Sequence, residues 1–130
     1  MGTDSSLTSV DQSRQPPKLI EFDLATKKIV RQIEYGHVVA PKDSLNDIRI
    51  DLKHGYAYLS NAVNQGGIAV TDLKTKESRL LLAGDRSSIS DPNQHLMFGD
   101  HIARKADGSV LVLQTDSIAI SPDRAWVCGR

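Results

Sequence analysis

The sequence predicts an all-β protein, and three observations lead to this expectation. Short apolar runs of strand length recur from Pro17 onward, and turn-forming residues separate them. Ile48, Ile50 and Leu52 alternate with polar residues, which is the period of a strand with one buried face. No segment keeps a helical periodicity of 3.6 residues for more than two turns. We therefore expect antiparallel sheets and little helix.

The elements follow in order along the chain. Residues 1–16 are polar and end at Pro16-Pro17, so we expect a disordered lead-in, and they contain no apolar run of the kind a signal peptide needs. Two apolar runs within 17–35 flank the turn at Ala25-Thr26-Lys27-Lys28. The next four strands are predicted at 47–53, 56–61, 67–73 and 77–83. Residues 117–128 read as one more hairpin, with its turn at Pro122-Asp123-Arg124.

An internal repeat organises these strands. The segment from Leu19 to Thr26 resembles the segment from Ile68 to Thr75, and both contain Asp-Leu-x-Thr. Asp72 lies 49 residues after Asp23, which is a typical spacing for the blades of a propeller. A second echo relates the hairpin that begins at Ile48 to the hairpin that begins at Ile118. The two echoes predict a β-propeller built from four-stranded antiparallel blades.

The repeat also predicts the organisation of the domain. We expect an outer half-blade at 17–35, a full blade at 45–83, an insertion at 84–116 and an inner half-blade at 117–130. Propellers close their ring with about four to eight blades, and these strands suffice for about two. The expectation is therefore a partial propeller over 17–130, either a fragment of a larger ring or a chain that pairs its open blade edges with another copy.

Composition excludes several classes of partner. The chain of 130 residues has 16 basic and 16 acidic side chains, and this balance gives no reason to expect nucleic acid or an anionic membrane as partner. No apolar run is long enough to span a bilayer. Cys128 is the single cysteine, so an intrachain disulfide is impossible. The four histidines lack the spacing of a zinc site.

The order of the motifs resembles the yellow/major royal jelly protein family, in particular its bacterial members. The resemblance covers about residues 17–127 and depends on the order and spacing of five segments. These are Pro17–Leu24, Leu45–Asp51, Tyr56–Ser60, Gly66–Leu73, and Asp107-Gly108 followed by Asp116–Asp123. It implies a six-bladed propeller, usually secreted or periplasmic, with a ligand site at the mouth of the central channel. Ser117 stands where the family usually has Gly, and Cys128-Gly129-Arg130 replaces an expected aromatic strand end.

The candidate site residues stand at the starts of the predicted innermost strands, where side chains reach the channel mouth. They are Asn46, Asp47, Asp116 and Ser117. In the related SMP-30/gluconolactonase propellers, an Asn or Asp at these positions helps to hold a divalent metal. By that resemblance Asn46 and Asp116 are candidate metal ligands, with Ca²⁺ as the possible cofactor because it prefers carboxylate and amide oxygens. The alternative is that both residues cap turns. Ser60 and Asn61, at the end of the second strand of the blade, are interpreted as turn formers.

Two functions remain open from the sequence. The first, implied by the family resemblance, is the binding of a small aromatic or amine ligand at the channel mouth. The second is a metal-dependent hydrolysis of lactones, which needs Asn46 and Asp116 as ligands. A third, simpler option is a scaffold that presents its loops to protein partners. The insertion at 84–116 is either functional or a cover for a sheet edge. Within it, 101–104 and 110–114 are predicted to form a small hairpin around the turn at 105–108.

Overall fold

The computed structural model describes residues 16–129. Within this range the chain forms ten short strands and no helix, so it has no helix there long and apolar enough to cross a membrane. All strand pairs are antiparallel. The predicted all-β, propeller-type fold is therefore confirmed. The predicted disorder of residues 1–16 falls, except for Pro16, outside the described residues.

The chain divides into two compact units, residues 1–42 and 43–130. In the first unit, β1 (Lys18–Asp23) and β2 (Lys28–Glu34) form a hairpin. The Asp23 carboxylate accepts the amides of Ala25 and Thr26 and closes the turn. After β2 the chain buries Tyr35 completely.

The second unit contains the full blade. Its four-stranded sheet consists of β3 (Leu45–Asp51), β4 (Tyr56–Asn61), β5 (Ile68–Asp72) and β6 (Ser78–Leu81), in that order. The first strand starts at Leu45 and not at residue 47, because Leu45 pairs with Asn61 across an irregularity in the register. It ends at Asp51 and not at 53, because the Asp51 carboxylate accepts the amides of Lys53 and His54 in a turn. Asn46 and Asp47 thus lie inside β3, in the irregular stretch.

The insertion differs from its prediction. We expected 101–104 to pair with 110–114, but that pairing is a single bridge between Arg104 and Val110. Instead β8 (His101–Ile102) pairs with β7 (Met97–Phe98). The sequence signal was a tight turn at Asp107-Gly108, and this turn does exist, because Asp107 accepts the amide of Ser109.

The last hairpin packs against the full blade. It consists of β9 (Ile118–Ile120) and β10 (Val127–Gly129). The core between hairpin and blade contains Ile118 with Ile68 and Val70, and Tyr56, Tyr58 and Val127 pack around it. Burying a side chain such as Ile118 contributes about 1.5–3 kcal/mol. This packing brings the starts of β3 and β9 together.

Candidate functional site

Asn46 and Asp116 meet where β3 and β9 begin. The Asn46 side-chain amide donates to Oδ1 of Asp116 at 2.7 Å and to the Asp116 carbonyl oxygen at 3.1 Å. The residues are 70 positions apart in the chain, so only the packing of the last hairpin on the blade joins them. Asn46 is exposed and Asp116 is partly buried, so the pair lies at the surface of this end of the strands.

Asp47 also links β3 to β9. Its Oδ2 accepts the backbone amide of Ile118 at 3.1 Å, and its Oδ1 accepts the guanidinium of Arg49 at 2.6 Å. The bond from Ile118, followed by that from Arg49, lowers the pKa of Asp47 below its usual value. Asp47 is therefore an ionised side chain whose charge is already compensated, and its role here is to hold β9 against β3.

Ser60 is a residue that sequence reasoning missed. We took Ser60 and Asn61 for turn formers, but both are fully buried in β4. The Ser60 hydroxyl accepts the amide of Asp47 at 3.0 Å and donates to the Asp116 carbonyl at 2.8 Å. Through these two bonds Ser60 links β4 to Asp47 and Asp116. The available signal was its place at the end of β4, opposite the residues that begin β3.

Asn61 adds an unusual feature next to this support. Its amide nitrogen donates to the Gly66 carbonyl at 3.2 Å, while its Oδ1 is buried without a hydrogen-bond partner among the described residues. A buried acceptor left without a donor costs about 1–3 kcal/mol. The fourth predicted site residue, Ser117, is exposed and directly precedes β9.

The donor set fits a cation only in part. Asn46 and Asp116 offer oxygens of the kind that Ca²⁺ prefers, but the ion takes six to eight oxygen ligands. In the described part of the chain, no group of three His, Cys, Asp or Glu side chains is arranged to hold a metal ion. In addition, Asn46 directs its N–H₂ group to Asp116, so its amide would have to turn over to present oxygen.

A second polar cluster lies at the other end of β3. Asp51, whose side chain is only 1% exposed, contacts Nδ1 of His54 at 2.6 Å and the guanidinium of Arg124 at 3.1 Å. Burial alone would raise the pKa of Asp51, but the hydrogen bonds from the ring and amide of His54 and the charges of His54 and Arg124 outweigh it, so the pKa is lowered. Since Arg124 belongs to the turn between β9 and β10, the cluster fastens the last hairpin to the blade.

The Asp51 cluster predicts a loss of stability in acid. A carboxyl group with a lowered pKa in the folded state stabilises that state above its unfolded pKa, and the contribution disappears as the pH falls through the folded value. We therefore expect the hairpin to loosen below pH 3.8, the usual pKa of the group. Fluorescence of Trp126, the single tryptophan, would report it during acid titration. Equal acid sensitivity in an Asp51→Asn variant would contradict the assignment.

The architecture defines a class of protein. A four-stranded antiparallel sheet, with a hairpin that repeats its two inner strands packed against it, is the blade pattern of a β-propeller. Side chains from the starts of β3 and β9 meet at one end of these two sheets.

Sequence comparison identifies the family within this class. The family model described as Major royal jelly protein matches residues 3–113. The chain therefore belongs to the major royal jelly protein family, as its motif order indicated. No curated protein matches the sequence.

Proposed function

We propose that this chain binds a small ligand carrying a positively charged amine at the mouth formed by the starts of β3 and β9. The observation that supports the proposal is that the Asp116 carboxylate has a hydrogen-bond partner but no positively charged one among the described residues. Its carboxylate is bonded to the neutral amide of Asn46. Among residues 16–129 it forms no ion pair with a lysine, arginine or histidine.

The neighbouring charges make Asp116 the negative group of the mouth. The carboxylate of Asp47 is neutralised by Arg49 at 2.6 Å and faces the amide of Ile118. That leaves the charge of Asp116 uncompensated at a partly buried position. An ammonium group brings three N–H donors and one positive charge, which matches a single carboxylate with an amide beside it. A hydrogen bond to a charged group contributes about 1.5–3 kcal/mol to binding.

The test compares an amine with its neutral analogue. Calorimetric titration of the 130-residue chain with tryptamine and with tryptophol, which carries a hydroxyl in place of the amine, isolates the charge. We expect tryptamine to bind more tightly, and we expect Asp116→Asn to weaken tryptamine about tenfold or more while leaving tryptophol unchanged.

The matched control is Asp107→Asn. Asp107 is also an aspartate that accepts hydrogen bonds from a neighbouring residue, but it lies in an exposed turn of the insertion. The variant removes the same net charge without touching the mouth, so it should bind tryptamine as the parent chain does. Equal affinity for the two compounds, or no binding of either, would overturn the proposal.

The alternative is a metal-dependent hydrolase, and the contact between Asn46 and Asp116 is the observation that favours it. Both candidate ligands meet at one point, although further oxygens are needed. A metal that binds only the folded state must raise the unfolding temperature with concentration. If Ca²⁺ raises it and EDTA reverses the effect, and if Asn46→Ala abolishes the rise, the hydrolase replaces the amine binder. No effect of Ca²⁺ would exclude a metal at these residues.

A further inference from the structure

The orientation of the Asn46 side chain follows from the groups around it. Its amide nitrogen lies 2.7 Å from Oδ1 of Asp116 and 3.1 Å from the Asp116 carbonyl oxygen. Both neighbours only accept hydrogen bonds, since an ionised carboxylate and a backbone carbonyl have no proton to give. The reversed amide would set an oxygen against two oxygens, so the hydrogen-bond network assigns the nitrogen to this position.

This orientation leaves two acceptor atoms unused in the same pair of side chains. Oδ1 of Asn46 and Oδ2 of Asp116 accept no hydrogen bond from any residue in the range 16–129. Each belongs to a planar group whose other polar atom is held in the bond between Asn46 and Asp116. Asn46 is exposed and Asp116 is partly buried, so a ligand can reach the pair from solvent.

Several donors next to this pair already have acceptors. The backbone amide of Asp47 donates to the Ser60 hydroxyl, and that of Ile118 donates to Oδ2 of Asp47. The Ser60 hydroxyl donates to the Asp116 carbonyl. These donors are therefore used within the protein, whereas the unused side-chain atoms of the Asn46–Asp116 pair are acceptors. A ligand that bonds to the pair has to supply the hydrogens.

We propose that the mouth selects amines by their number of N–H groups, and that it binds primary and secondary ammonium ions in preference to tertiary and quaternary ones. One N–H would donate to Oδ2 of Asp116 and a second to Oδ1 of Asn46. A tertiary ammonium has one N–H and can reach only one of these oxygens, and a quaternary ammonium has none. This selection rests on the proposed amine binding and defines its substrate class.

Charge alone does not produce such a preference. All four kinds of ammonium ion carry one positive charge, so their attraction to the carboxylate of Asp116 is similar. The tertiary ion loses the hydrogen bond to Asn46, and the loss of one hydrogen bond typically weakens binding about threefold to tenfold. Proteins recognise quaternary ammonium groups mainly over aromatic faces, whereas the Asn46–Asp116 pair offers oxygens.

A methylation series of one ligand tests the selection. Calorimetric titration of the 130-residue chain would compare tryptamine with its N-methyl, N,N-dimethyl and N,N,N-trimethyl derivatives. We expect the N-methyl compound to bind within about twofold of tryptamine, and the N,N-dimethyl compound to bind about threefold to tenfold more weakly than the N-methyl compound. This step marks the loss of the second N–H. An equal loss with each methyl group, or no loss, would overturn the proposal.

Asn46→Ala removes the second acceptor and should remove the step. In this variant the mono- and dimethyl compounds should bind with the same affinity within about twofold, because each still has one N–H for Asp116. Tryptamine should continue to bind more tightly than tryptophol, since the carboxylate remains. Asn46 is exposed, so the variant is expected to fold. A step of unchanged size would contradict the contact with the oxygen of Asn46.

The matched control is Asn93→Ala. Asn93 is also an exposed asparagine whose amide nitrogen donates to an aspartate, with 3.2 Å to Oδ1 of Asp91. This pair lies in a turn of the insertion, and the hydrogen bonds of Asn93 in the described part of the chain stay within that turn. The variant should keep the step of the methylation series. If it loses the step as Asn46→Ala does, the effect is not specific to the mouth and the proposal is wrong.

The same titrations separate the selection from the proposed function. If tryptamine binds more tightly than tryptophol and all methyl derivatives bind as tightly as tryptamine, the amine site stands and selection by N–H groups is wrong. If the tertiary and quaternary compounds bind more tightly than tryptamine, the amine site also stands, but it favours an apolar ammonium group. If none of the amines binds, both proposals are wrong.

Discussion

Replacing Gly66 with alanine is expected to destabilise the protein by more than about 2 kcal/mol and to weaken ligand binding. Gly66 has φ of 62°, and an added Cβ would collide with the backbone oxygen of Ser88 and touch Gln114. Gln114 donates its amide to Ala62, and Asp116 follows two residues later. The collision therefore pushes away the segment that carries the carboxylate of the mouth.

Gly84→Ala is the matched control for this substitution. Gly84 has a similar φ of 70°, but an added Cβ would meet nothing within 4 Å. The control should cost only the backbone strain of about 1 kcal/mol. Urea unfolding of both variants, with tryptamine titration of whichever remains folded, separates collision from strain. Similar losses in the two variants would show that the contact with Ser88 is unimportant.

Replacing Asp51 with alanine should be the most damaging change in the polar clusters. The substitution removes two turn hydrogen bonds and leaves Arg124 and His54 without their buried carboxylate partner. The cost comes from the lost hydrogen bonds to a buried carboxylate, because the side chains of His54 and Arg124 are 47% and 36% exposed and stay solvated without it. We expect the midpoint of thermal unfolding to fall by about 5 °C or more.

Asp72→Ala removes the turn hydrogen bonds alone, so its difference from Asp51→Ala measures what the contacts with His54 and Arg124 contribute to stability. Asp72 makes the same two turn bonds, to Lys74 and Thr75, but it has no histidine or arginine bonded to it among the described residues. Its loss should lower the midpoint by half as much or less. If the two variants unfold at the same temperature, the contacts of Asp51 with His54 and Arg124 add nothing to stability.

The fold was largely predictable because its signals are local. Alternation around Ile50, the turn at Asp72 and the repeated Asp-Leu-x-Thr depend on neighbours in the chain, and they located the sheet within about two residues. Strand ends were less predictable. Whether β3 stops at Asp51 depends on which groups the carboxylate caps, and a sequence does not display this.

The meeting of Asn46 and Asp116 was predictable from the sequence, but the contacts around them were not. Symmetry of the repeat placed Asn46 and Asp116 at equivalent strand starts, and the structure brings them to 2.7 Å. Their hydrogen bond, the buried support from Ser60 and the link from Asp51 to Arg124 join residues far apart in the chain. Such contacts depend on how one sheet packs on another, so no local sequence pattern predicts them.

The long separation between β3 and β9 has a consequence for the order of folding. Strands β3 to β6 pair with their sequence neighbours, so they close short loops and can form early. The last hairpin must find β3 across the whole insertion, and closing such a loop is slower. The acidic mouth is thus expected to be the last feature to mature. A nascent chain would hold a finished blade well before Asn46 and Asp116 could meet.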